Sequence, residues 1–83
     1  MNNNFETYDL GLTAALVTRG FPLKDMDKTD PRKVIFTFER KGKMLDNSIN
    51  RYMTDKLQVS ARSYFDNLRA LKNRIHDIVP IIK

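Results

Sequence analysis

Lys33-Val34-Ile35-Phe36-Thr37-Phe38-Glu39-Arg40 is the stretch that decides the fold. Its β-branched and aromatic residues suit a pleated, half-buried surface. Side chains alternate along a strand, so Val34, Phe36 and Phe38 share one face and Ile35, Thr37 and Glu39 the other. Just upstream, Asp27-Lys28-Thr29-Asp30-Pro31-Arg32 is turn-forming, with Asp30-Pro31 its strongest signal. Before the turn, Phe21, Leu23 and Asp25 alternate with Pro22, Lys24 and Met26, which predicts a short strand. Pro22 cannot donate to a ladder, so this strand starts there or lies at an edge. The spacing predicts a β-hairpin of residues 21–27 with 33–40, joined by more than a two-residue turn.

Helices flank the hairpin. Residues 1–6 are polar and read as a disordered tail, leaving 7–83 as one domain. Thr7 is a candidate N-cap, with Asp9 in the first turn where the helix dipole favours an acid. Tyr8, Leu12, Ala15, Leu16 and Arg19 recur at helical spacing over 8–19. Gly20 suits the residue just past the end, where a left-handed backbone carries no Cβ penalty. Gly11 weakens this helix or allows a close approach. Beyond Gly42, Met44, Leu45, Ile49, Tyr52 and Met53 predict a second helix over about 44–54. Leu57-Gln58-Val59 is either a short third strand or an extended linker packed by Leu57 and Val59. Ser60 then caps a long helix, in which Ala61, Tyr64, Leu68, Leu71, Ile75, Ile78 and Ile82 alternate spacings of three and four. Pro80 stops that helix near 79. The expected architecture is a single small α+β domain: helix, β-hairpin, helix, short strand, long C-terminal helix. Val34, Phe36, Phe38, Leu12, Leu16, Leu68, Leu71 and Ile75 are its expected core.

Composition removes several functions. Eighty-three residues make one domain with a small core. The absence of cysteine excludes disulfides, thiolate catalysis and Cys-based metal sites, and a single histidine excludes a multi-histidine site. Asp25, Asp27 and Asp30 lack the central glycine and terminal glutamate of an EF-hand, so they read as an acidic turn. Three scattered glycines form no phosphate loop. His76 and Asp77 are adjacent, so on a helix they point about 100° apart and make no dyad. The expectation is a non-enzyme without cofactor or metal. Neither an export signal nor a membrane-spanning apolar run is present, so the cytoplasm is the expected compartment.

The formal charge is +5, and it is regional. The first thirty residues hold three bases against five acids; the remainder holds twelve against five. Two groups carry the excess. Arg40, Lys41 and Lys43 surround Gly42 in a basic loop after the strand. On the last helix, Arg62, Arg69, Lys72 and His76 fall along one edge of the apolar stripe, with Phe65 among them. Basic side chains in a row can follow a phosphate backbone, and an exposed aromatic ring can stack on a base. The leading expectation is phosphate binding through Arg40, Lys41, Lys43, Arg62, Arg69 and Lys72. Val34 to Phe38 lacks the glycines of an RNA-recognition strand. The alternative is a protein–protein interaction module: a homodimer through the three-four seam of the last helix, or a small adaptor or inhibitor of a host or phage protein.

Three stretches together carry a family resemblance. Tyr8-Asp9-Leu10-Gly11-Leu12-Thr13-Ala14-Ala15-Leu16-Val17-Thr18-Arg19-Gly20-Phe21 is followed by Val34-Ile35-Phe36-Thr37-Phe38, and then by Leu57-Gln58-Val59 leading into Tyr64, Leu68, Leu71 and Lys72. This pattern resembles a family of short bacterial and phage domains of unknown function, over about residues 8–76. The resemblance implies a phage or mobile-element setting and brings no assigned activity.

Overall fold

The computed structural model describes residues 3–30 and 32–76. Its elements run β1 (Asn4–Thr7), α1 (Leu10–Thr18), β2 (Asp25–Asp27), β3 (Ile35–Glu39), α2 (Met44–Met53) and α3 (Ala61–Ile75). The α+β class stands. The sheet has three strands in the order β1-β3-β2, both pairings antiparallel. β1 and β2 therefore run parallel to each other on either side of β3, and α1 connects them as a split βαβ crossover.

The N-terminal tail is a correction. Residues 4–7 are not frayed: Phe5 pairs with Phe38, Glu6 with Thr37 and Thr7 with Phe36. A single aromatic among polar residues signals no strand by itself, and β1 exists because β3 presents a ladder to it. The hairpin forms as expected, with its first strand shortened to Asp25–Asp27, where Met26 pairs with Phe36. Thr37 lies in the row Glu6–Thr37–Asp25 and is buried between both neighbours. Of the two readings of Leu57-Gln58-Val59, the short strand is corrected and the extended linker stands, because β1 already occupies the place beside β3.

The start of α1 moves by two residues. Asp9 is its N-cap, with Oδ1 accepting from the Leu12 N–H at 3.1 Å. Thr7 instead ends β1 and accepts from the Asp9 N–H at 3.1 Å. Gly20 does close the helix, at φ +102°, with the Gly20 N–H donating to Val17 and the Phe21 N–H to Leu16. This is a Schellman ending.

α1 is the centre of the core. Leu12, Thr13, Ala14, Ala15 and Leu16 are all buried, and the Thr13 hydroxyl is satisfied by the Asp9 carbonyl at 2.9 Å. Leu12 and Leu16 join Phe36 and Phe38 from the sheet, Leu45 from α2 and Leu71 from α3 in one cluster. Leu68 and Ile75 pack against it half-buried. Over Tyr64, Leu68, Leu71 and Ile75 the three-four seam of α3 thus packs against the core within the same chain. Asp77, Ile78, Pro80 and Ile82 lie outside the described residues. No helix among the described residues is long and apolar enough to cross a membrane.

Candidate nucleic-acid interface

The geometry of α3 follows from its cap and its buried face. The Ser60 hydroxyl accepts from the Ser63 N–H at 3.4 Å, as the sequence predicts. Turning Tyr64, Leu68, Leu71 and Ile75 towards the core rotates another row outwards. At 100° per residue, Arg62, Phe65, Arg69, Lys72 and His76 fall within a sector of about 80°. All five are exposed, Phe65 by 55%. The Arg69 guanidinium sits 4.9 Å from the Phe65 ring centroid, a cation–π contact that holds both side chains on the surface. Among the described residues, Arg62 and Lys72 make no ion pair or side-chain hydrogen bond. At the far end of α3, the Lys28 ammonium donates to the Arg74 carbonyl at 2.8 Å, a cation at the negative end of the helix dipole.

The basic loop divides. Arg40 is half-buried: its Nε donates to Asp46 Oδ1 at 2.8 Å, and a terminal nitrogen donates to the Asn4 carbonyl at 3.3 Å. Its guanidinium also lies 5.5 Å from the Phe5 ring centroid. These contacts tie β1 to the first turn of α2. Lys41 and Lys43 are exposed, and Gly42 turns the chain between them at φ +77°. Lys43 precedes α2 without capping it through its side chain. The loop stands at the start of α2, and the linker of residues 54–60 lies between the end of α2 and the first basic residue of the α3 row, Arg62.

Acidic residues gather elsewhere. Alternation along the paired strands places Glu6, Asp25, Asp27 and Glu39 on the sheet face away from the helices. Asp27 and Asp30 also organise the β2–β3 turn, accepting from the Thr29 N–H at 2.9 Å and the Arg32 N–H at 3.0 Å. Hydrogen bonds from the side chain and then the backbone of Thr29 hold the Asp27 carboxyl below its ordinary pKa. Among the described residues no cluster of three His, Cys, Asp or Glu could hold a metal ion. A second exposed aromatic–cation pair lies at the sheet edge. Tyr8, 64% exposed, has the Lys33 ammonium 4.8 Å from its ring centroid.

Sequence reasoning missed one constellation, at Gly11. A Cβ there would lie 2.7 Å from the Tyr52 hydroxyl oxygen and 3.4 Å from that of Tyr64. The close approach read as one option for Gly11 is therefore made by two tyrosines from α2 and α3. The Tyr64 hydroxyl donates to the Gly11 carbonyl at 3.3 Å. Burial, then the Asp9 carboxylate, then Tyr64, push the Tyr52 hydroxyl above its ordinary pKa. A glycine at the exposed side of a helix was the available signal, but it does not say which rings fill the gap.

These elements define a small α+β domain: a three-stranded antiparallel sheet with an acidic outer face, backed by three helices of which the last carries a basic row. The chain belongs to the family described as "Domain of unknown function (DUF5659)", whose model matches residues 2–77. No curated protein and no solved structure matches it.

Proposed function

We propose that this domain is a non-catalytic nucleic-acid-binding protein of the cytoplasm, encoded in a phage or mobile-element setting. The observation that carries the reading is the exposed row Arg62, Phe65, Arg69 and Lys72 on one edge of α3. Arg62, Arg69 and Lys72 meet phosphates, and Phe65 stacks on an unpaired base. Lys41 and Lys43 add a second phosphate contact, while Arg40 serves mainly to fasten β1. The acidic outer sheet face repels the phosphate backbone and directs nucleic acid to the helical side.

Gel shifts of the full chain with single-stranded and duplex DNA and RNA test this. A complex is expected at low salt, weakening steeply as salt rises. Arg69→Ala with Lys72→Ala lowers affinity for every nucleic acid, and each lost phosphate contact reduces the salt slope by about one. Phe65→Ala costs about 1–3 kcal/mol for single strands only. No complex with any nucleic acid at low salt overturns the proposal. Co-purification of a protein that survives nuclease treatment would instead favour the interaction-module reading.

A further inference from the structure

A pocket of about 360 Å³ opens where the three helices meet, lined by Ala15, Tyr52, Asp55, Leu57, Val59 and Tyr64. Its walls come from α1, α2, the residue that ends α2, the linker and α3. We infer that this pocket binds a primary alkylammonium group, either a free polyamine or the lysine side chain of a partner. The inference is independent of the nucleic-acid reading, because the pocket shares no residue with the basic row or the loop.

Three observations carry it. First, the polar atoms lining the pocket suit a donor. Tyr64 already donates its proton to Gly11, so its oxygen is left to accept. Among the described residues neither the Tyr52 hydroxyl nor the Asp55 carboxylate has a hydrogen-bond or ion-pair partner, and no Lys or Arg lines the pocket. This stands out in a chain carrying fifteen basic residues. Two phenols and a carboxylate in one pocket lining attract a cation through the ring quadrupole as well as the charge. Second, Ala15, Leu57 and Val59 give the pocket apolar walls that match the methylene stem of an alkylammonium.

Third, Asp55 holds a left-handed backbone, φ 62°. It ends α2 in a Schellman motif, with the Asp55 N–H donating to the Tyr52 carbonyl and the Lys56 N–H to that of Arg51. α1 ends the same way with Gly20 in the equivalent place. The cap alone asks for glycine. An aspartate there accepts backbone strain and supplies a carboxylate at the pocket, and strain of this kind is a pointer to function.

Amide chemical-shift titration of the full chain tests the inference with three probes. They are putrescine, N-acetyl-lysine N-methylamide, and N-acetyl-norleucine N-methylamide as the uncharged control. Saturable shifts centred on Gly11, Tyr52, Leu57 and Val59 are expected from at least one amine, and which amine binds tells a free polyamine from a partner's lysine. Asp55→Asn and Asp55→Gly should each weaken that binding about tenfold or more, the effect of losing one charge-assisted hydrogen bond. Asp55→Gly relieves the backbone at the same time, so weaker binding by a folded, more stable variant separates loss of the site from loss of the fold. Three results overturn the inference: no shifts at the pocket with either amine, equal shifts with the norleucine control, or unchanged amine affinity in both variants.

Discussion

Gly20 and Asp55 occupy the same place at the ends of α1 and α2, both with positive φ. Opposite effects follow from substituting them. A Cβ on Gly20 would meet no atom within 4 Å, so Gly20→Ala is penalised by the backbone alone. It should cost about 1 kcal/mol, the usual price of a left-handed L-residue. Asp55→Gly should stabilise by a few tenths to about 1 kcal/mol, because aspartate tolerates this region better than most residues but less well than glycine. Urea midpoints of both variants check the pair. A destabilised Asp55→Gly would show that the aspartate side chain supports the helix end more than its φ opposes it. Gly11 differs from both, since a Cβ there would meet the Tyr52 hydroxyl oxygen at 2.7 Å, so Tyr52 would have to shift and conformational freedom is not the issue.

Elements with strong local patterns were legible in the sequence, and elements defined by pairing were not. β3 and α3 announce themselves through alternation and three-four spacing, and Ser60 marks the start of α3 to the residue. β1 was invisible because Asn4-Phe5-Glu6-Thr7 gains its structure from β3, about thirty residues later. The α3 row could be placed by helical angle alone, but the exposure of Phe65 depends on α1 taking the adjacent face. In the same way Arg40 and Lys41 look equivalent in sequence and differ in structure. Arg40→Ala removes the Asp46 pair and the Asn4 contact. It should cost about 1 kcal/mol of stability, given that the ion pair is only partly shielded from solvent. Its effect on nucleic-acid affinity should be smaller than that of Lys41→Ala, which in turn leaves the melting midpoint unchanged. Thermal melts beside gel shifts of the two variants separate these roles, and an equal loss of affinity in both would return Arg40 to the interface.

The whole molecule depends on α1. It lies among the sheet, α2 and α3, and its Leu12 and Leu16 join residues from all of them in one cluster. An 83-residue domain without disulfides has a total stability of about 4–12 kcal/mol. Leu16 is completely buried, so Leu16→Ala should remove about 2–5 kcal/mol of it. That is a large enough share to bring unfolding into reach at moderate temperature. Because the same cluster supports every layer, the loss cannot stay local. Far-ultraviolet circular dichroism follows the helices, while tyrosine fluorescence in a Tyr8→Phe background follows Tyr52 and Tyr64 at the junction where α2 and α3 approach Gly11. Both should report a single transition with one midpoint, shifted together by the substitution. Separate midpoints for the two probes would mean that α2 and α3 hold together without α1, and that the core is two clusters.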